Sequence, residues 1–354
     1  MPEVVQSLST ARAVSLNHQF TFQARNQLTE ALAHMAGHGS AASYVARLRA
    51  RTSVVTLLAG SGTRWEESVR LAKELGAFQE NWEPGTPRAL FPIDDILRPG
   101  QKIPIGGYTL RAARELGKHI VVTSGTHDER IEQELVSPLN LSASFVTQEK
   151  YGDTVNAAGH ADAMWQSKDA WQDSEYVIVN FGGNANARAT LISSLMLLDL
   201  LNKEKETCGE IVPVTQLERA AYPISVDMKG FPNSFVHPKL DGLDVTSTDY
   251  QELCRGAYSN VGVRVFRSDW LYDVLKTYYE HYFDQRSASY RALGEFALDH
   301  VDRAGTCPRM VRILHCAEPA EILAEAKKFG VELEDFSKLA EEVLARDRRS
   351  GFFL

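Results

Sequence analysis

An α/β fold is predicted, with a Rossmann-like, mostly parallel, doubly wound sheet and helical additions at the N- and C-terminal ends. Short apolar, β-branched runs recur along the chain, stretches of helical spacing lie between several of them, and the runs tend to close in glycine-bearing turns. Strands that are apolar on both faces belong to a parallel sheet covered on both sides. In such a sheet ligands bind beyond the carboxyl ends of the strands, which is where these turns fall.

Residues 1–52 read as a helical extension. Phe22, Leu28, Leu32, Met35, Val45 and Leu48 recur at near-helical spacing from Phe20 to Arg51, and Gly37, Gly39 and Ser40 split the segment into two helices. Residues 53–270 form the central domain. Its first strand is Ser53 to Leu58, followed by the turn Ala59-Gly60-Ser61-Gly62-Thr63-Arg64. Further strands are expected at His119–Thr123, Ala143–Thr147, Glu175–Phe181, Gly209–Val214 and Gly262–Phe266. Helices are expected at Tyr108–Gly117, Ala157–Trp171 and Ala189–Leu201. Residues 271–354 read as a helical region, with helices at Leu271–His281 and Ser289–Arg303 and two amphipathic helices between Ala317 and Arg348. The last pair packs on the main domain or makes a homo-oligomer contact or a lid.

Composition narrows the function classes. The chain has 354 residues, 44% hydrophobic and 24% charged, which suits a globular protein of this size. A net charge of −8 argues against broad nucleic-acid binding. The four cysteines, Cys208, Cys254, Cys307 and Cys316, lack zinc-site spacing and read as reduced thiols. No membrane partner is expected, because the apolar run Leu191–Leu201 is short and holds Ser193, Ser194 and Asp199. The start MPEVVQSLSTARAV lacks signal-peptide character, so the expected location is cytoplasmic.

The sharpest chemical signal is Leu57-Leu58-Ala59-Gly60-Ser61-Gly62-Thr63-Arg64 directly after a strand. Its glycines allow backbone N–H groups to face an anion, and Arg64 adds a guanidinium fork suited to phosphate. No Lys-Ser/Thr pair follows, so it is not a Walker A loop. Read as a structural element alone, it is a glycine turn.

This L-x-x-G-x-G-T-R pattern resembles the signature of sugar-1-phosphate nucleotidyltransferases, of which the N-acetylglucosamine-1-phosphate uridylyltransferases are the nearest type. Further segments match in the same order. Pro87-Arg88-Ala89-Leu90-Phe91-Pro92-Ile93 resembles the second motif, P-K-x-L-x-P-[IV]. Gln148-Glu149-Lys150-Tyr151-Gly152, running on to Ala158-Gly159-His160-Ala161, resembles the stretch around the base. Val177 to Gly183 stands at the strand ending in Gly-Asp, and Ser259-Asn260-Val261-Gly262 to Phe266 resembles a late strand. The resemblance spans residues 53–270 and implies a sheet of the nucleotide-diphospho-sugar transferase type.

It also implies a reaction and partners: a nucleoside triphosphate, with UTP the first choice, and a sugar 1-phosphate or related ester, joined with loss of pyrophosphate. Arg64 and Arg88 would hold the phosphates. Leu58, Ala59, Gly60, Ser61, Gly62 and Thr63 would line the nucleotide with Gln148, Gly152 and Gly159. Lys239 and Asn260 would meet the sugar phosphate. Mg²⁺ is the implied cofactor, held by Asn260 and, where the family has Asp, by Asn184, Asn186 or a carboxylate such as Asp227. Three departures stand out: Arg88 replaces a lysine, the chain reads Gly182-Gly183-Asn184-Ala185-Asn186 without the Asp, and residues 65–86 lengthen the gap between the first two motifs. These departures keep a second reading open, a non-catalytic protein that binds a nucleotide or nucleotide-sugar and regulates a partner. A glycosyltransferase on the same fold fits less well, since Thr63-Arg64 suits a triphosphate. His160 and the segment Thr126–Glu129 have structural readings as well, as a hydrogen-bonded histidine and a solvated helix start.

Overall fold

The computed structural model describes residues 28–58, 60, 66, 69–70, 73–74, 82–95, 97–149, 159–183, 187–203, 208–216, 223–226, 232–236, 242–282 and 311–315. Two helices come first, α1 (Leu28–Met35) and α2 (Ala41–Arg49). The break between them falls at the predicted glycines, and Ser40 caps α2 by accepting a hydrogen bond from Ser43 N at 3.2 Å.

Strand β1 (Thr52–Leu57) is buried along its whole length. It pairs in parallel with β4 (Lys118–Thr123) on one side and β6 (Tyr176–Phe181) on the other, and β4 pairs in parallel with the edge strand β5 (Ala143–Thr147). These four runs are among the six that the β-branched pattern marks in the sequence. Beyond β6 the sheet continues through β11 (Val263–Arg267), β7 (Glu210–Gln216), β10 (Tyr258–Asn260), β8 (Ile224–Val226) and β9 (Pro232–Phe235). Strand β11 runs antiparallel to both β6 and β7, so the sheet is mostly rather than wholly parallel.

A separate two-stranded ribbon joins β2 (Pro92–Asp94) to β3 (Lys102–Pro104) and leads into α3 (Ile105–Ala113). The C-terminal region, expected to be helical, contributes α9 (Ser268–Tyr282) but also β12 (Val311–His315), which lies parallel to β7. The sequence cue for β12 is only five residues long, too short to separate from a helical turn by periodicity. The expected helices at 289–303 and 317–348 lie outside the described residues.

Two apolar layers sandwich the sheet. On one face Val55, Leu57, Ile120, Val122, Val177 and Val179 meet α5 (His160–Gln166), Trp171 of α6 (Lys168–Trp171) and Leu271 and Leu275 of α9. On the other face Val54, Ile178, Val263 and Val265 meet Leu32 and Ala33 of α1, Tyr44 and Leu48 of α2, and Leu191, Leu195 and Leu198 of α7 (Arg188–Lys203). The described N-terminal helices therefore share the core of the central sheet.

A buried ionic network ties this second layer together at the amino ends of the strands. The Asp199 carboxylate of α7 accepts a short hydrogen bond from Tyr44 Oη, one from Tyr176 Oη at 2.8 Å, and an ion pair from Lys203 Nζ at 2.5 Å. Arg51 NH1 lies 3.4 Å from Asp199, and the same guanidinium pairs with Glu175. Burial opposes ionisation of Asp199, yet the hydrogen bonds from Lys203, Tyr44 and Tyr176 outweigh it and hold the carboxyl below its usual range. A second buried pair, Arg264 to Glu210 at 2.7 Å, links β11 to β7 with both side chains at 0% exposure.

Candidate functional site

The carboxyl ends of β1, β5 and β6 gather the predicted residues that the structure describes. Leu58 follows β1, and its N–H donates to the Val122 carbonyl at 2.7 Å, while the Gly182 N–H returns from the end of β6 to the Leu57 carbonyl at 3.1 Å. A Cβ on Gly182 would overlap the Leu58 side chain, so this close approach requires glycine. Gly60 follows in open space, with nothing within 4 Å of a Cβ placed there.

Arg88 opens a 3₁₀ turn (Arg88–Leu90) anchored by the buried side chains of Ala89 and Leu90. The Leu90 N–H donates to the Pro87 carbonyl and the Phe91 N–H to the Arg88 carbonyl, each at 2.9 Å. This places the arginine across the strand end. A Cβ on Gly183 would lie 3.2 Å from Arg88 Cδ, 3.5 Å from Cγ and 3.6 Å from Nε.

Gln148 follows β5 and is buried. Its Nε2 donates to the Gly159 carbonyl at 3.0 Å and to Asp162 Oδ2 at 2.5 Å, and Gln166 Nε2 donates to the same Asp162 oxygen at 2.9 Å. Gly159 is the N-cap of α5 at φ +98°, a conformation that excludes ordinary side chains. The next ring, His160, packs on Phe181 at the tip of β6, with centroids 4.5 Å apart. Asn260 reaches the same strand end from the other side: Phe181 N donates to the Gly262 carbonyl at 3.2 Å, and Gly262 N donates to Asn260 Oδ1 at 2.8 Å.

The structure thus brings Leu58, Gly60, Arg88, Gln148, Gly159 and Asn260 to one edge of the sheet. Ala59, Ser61, Gly62, Thr63, Arg64, Gly152, Asn184 and Lys239 lie outside the described residues, as do Asn186 and Asp227. Sequence reasoning missed Asp162, the carboxylate that fixes the Gln148 amide; its signal was an acid inside the apolar stretch Ala161–Met164. It also missed Asn180 and Thr56, register partners on β6 and β1. Both are fully buried, and neither the Asn180 amide nor the Thr56 hydroxyl has a hydrogen-bond partner. Their signal was a polar residue in each apolar run.

The described residues do not fit a divalent cation at this strand end. Mg²⁺ demands an octahedron of oxygens and favours carboxylates. Gly183 carries no side-chain donor, the Asn260 amide oxygen already accepts an N–H, and no cluster of three His, Cys, Asp or Glu side chains occurs among the described residues.

No protein-family model and no curated protein matches the sequence. Among solved structures, the chain is similar to a Bacillus anthracis protein described as a glucose-1-phosphate thymidylyltransferase, in complex with a sucrose. The identity is 14% and the TM-score 0.50, over 82% of this chain and 96% of that one. A CMP:2-keto-3-deoxy-manno-octonic acid synthetase complexed with CTP matches at 13% identity and TM-score 0.45, over 83% of this chain and 99% of that one. At such identity the first likeness bears on the fold, which is of the nucleotide-diphospho-sugar transferase type with a mostly parallel central sheet; the second is too distant to add to it. No helix of the described residues is long and apolar enough to cross a membrane.

Proposed function

We propose that the chain binds a nucleoside triphosphate, UTP first among them, at the carboxyl edge of its parallel strands and joins it to a sugar 1-phosphate or related ester. The observation that carries this reading is the meeting of Arg88, Gln148, Gly159 and Asn260, drawn from separate segments, around the ends of β1 and β6. An oxygen of the acceptor phosphate would attack the α-phosphorus of the nucleotide. The bond from that phosphorus to the bridging oxygen breaks, and pyrophosphate leaves with the bonding electrons. Such a displacement depends on alignment and on stabilising negative charge more than on proton transfer. Arg88, fixed on a rigid turn, suits the charge; Gln148, held by Asp162, suits base contact. The proposed roles of Ala59, Ser61, Gly62, Thr63 and Arg64 as phosphate cradle, of Gly152 beside the base and of Lys239 at the sugar phosphate rest on their motifs. Mg²⁺ with Asn184 as a ligand rests on the resemblance alone, and no step is assigned to it.

Pyrophosphate release, measured with each nucleoside triphosphate against a panel of sugar 1-phosphates, tests this. Release with at least one pair is expected, and none with any pair overturns the catalytic reading. The bare Gly183 favours a second reading, a nucleotide-binding regulator without turnover. Calorimetric binding of the triphosphate without pyrophosphate release would select it.

A further inference from the structure

We infer that Asp162 decides which base the site accepts, by holding the Gln148 amide so that it offers a ligand its carbonyl oxygen and no N–H. The inference rests on Gln148 meeting the base, as proposed above. A glutamine amide carries two N–H donors and one acceptor oxygen, and half a turn about its last bond exchanges them. Here that exchange is blocked. Gln148 Nε2 faces the Gly159 carbonyl at 3.0 Å and Asp162 Oδ2 at 2.5 Å, so both of its hydrogens are spent. An atom lodged against a backbone carbonyl must be the nitrogen, which fixes the orientation by chemistry.

The surroundings hold the pair in place. Gln148 N donates to the Thr123 carbonyl at 2.8 Å, and the Gln148 and Asp162 residues are both buried. Gln166 ties the helix that carries Asp162 back to the end of β5. Its Nε2 donates to Asp162 Oδ2 at 2.9 Å and to the Glu149 carbonyl at 3.2 Å, and its Oε1 accepts from Glu149 N at 2.7 Å. Among the described residues no donor meets Gln148 Oε1, and this oxygen is not one of the fully enclosed polar atoms that lack a partner. An acceptor held this way selects. Uracil presents a ring N–H at N3, which Oε1 can accept. Cytosine presents a lone pair at the same place, and two facing lone pairs repel. To serve cytosine the amide would have to turn over, setting its oxygen against the Gly159 carbonyl and the Asp162 carboxylate together. Specificity of this kind comes from the repelled partner as much as from the favoured one. The favoured class is a base with a ring N–H on its pairing edge, uracil first.

Titration calorimetry of the full chain with UTP and with CTP, in buffer containing Mg²⁺, tests this, since the two nucleotides differ only on that edge of the base. The wild type is expected to bind UTP about tenfold tighter or more. Asp162→Ala removes one of the two contacts that oppose turning, so this preference should shrink about threefold or more, on top of any loss of affinity for both. Asp162→Asn keeps the shape but can offer an N–H in place of an oxygen, and it should shrink the preference too. A merely structural role for Asp162 would weaken both nucleotides alike and leave their ratio unchanged. Thermal melting establishes that each variant is folded; should Asp162→Ala fail to fold, Asp162→Asn is read in its place. Equal binding of UTP and CTP by the wild type, or an unchanged ratio in the folded variant, overturns the inference and leaves the nucleotide site standing. If no nucleoside triphosphate binds the wild type, the nucleotide site falls, and the inference with it.

Discussion

The two ends of the central strands are built on different terms. At the amino ends Asp199 is closed in by Tyr44, Tyr176, Lys203 and Arg51, so a buried charge is matched on every side. At the carboxyl ends the Asn180 amide and Thr56 hydroxyl are buried with no partner, beside glycines that leave room for an arginine. A buried polar group without a partner lowers stability, and a matched one does not. The contrast teaches that the amino end holds the fold together while the carboxyl end keeps polar groups available at a cost in stability, which is the expected place for ligand chemistry in an open α/β sheet.

The largest test of this contrast is Asp199→Ala. Removing one member of a buried ionic network should lower unfolding stability by about 3–5 kcal/mol in chemical denaturation, with nucleotide binding unchanged. Because the Asp199 carboxyl titrates below its usual range, its contribution is full above the unfolded carboxylate value and fades as pH drops below it. The variant should therefore lose part of the wild type's acid sensitivity in that window. Unaltered stability would show that the network is not what closes the amino end.

Asp162→Ala is the matching test at the carboxyl end. It leaves the Gln148 and Gln166 amides without their shared acceptor, and about 1–3 kcal/mol of stability should be lost. Here nucleotide affinity should fall as well, since Gln148 is released. A loss of stability with intact affinity would place Gln148 outside the ligand's reach.

His119, the second residue of β4, is an exception at the amino ends. Its ring is buried on β4 with neither nitrogen partnered; burial, then the nearby Arg49 charge, lowers its pKa to about 4. The unfolded chain takes up the proton first, so wild-type stability should decline as pH falls from the unfolded histidine value of about 6.5 to about 4. His119→Leu should flatten that stretch of the denaturation profile. A slope that survives the substitution must come from another group.

The smallest effect is expected at Asn180. Replacing an unsatisfied buried amide with the similarly sized leucine should raise stability by about 1 kcal/mol. A drop in melting temperature would mean that the amide is solvated or engaged in solution, and that the carboxyl end is less costly than it looks.

Much of this architecture was legible in the chain itself, for physical reasons. Strands β1, β4 and β6 are buried on both faces, so their residues must be apolar whichever side is read, and their runs are long enough to detect. The antiparallel course of β11 was not legible, because direction depends on the connection before the strand and not on its composition. The short strands β8, β9, β10 and β12 carry three to five residues each, below the length at which period two can be separated from chance.

At the site, glycines and Arg88 could be found because motif order along the chain points to them. Asp162 and Asp199 could not be given partners, since those partners come from other elements: Gln148 from the end of β5, Tyr44 from α2 and Tyr176 from β6. Asp199 did stand out as an acid within the apolar run Leu191–Leu201, and an acid there must find donors once the helix is buried.

Strand β12 has a consequence for how the protein is made. It covers the flank of β7 opposite β10 and β11, yet it arrives about a hundred residues after its neighbour. Until residues 311–315 emerge during synthesis, the backbone of β7 along that flank has only solvent to bond to. The nascent sheet would pass through a stage with a bare edge open to foreign strands, and shortened versions of the chain ending at α9 would keep that edge for good.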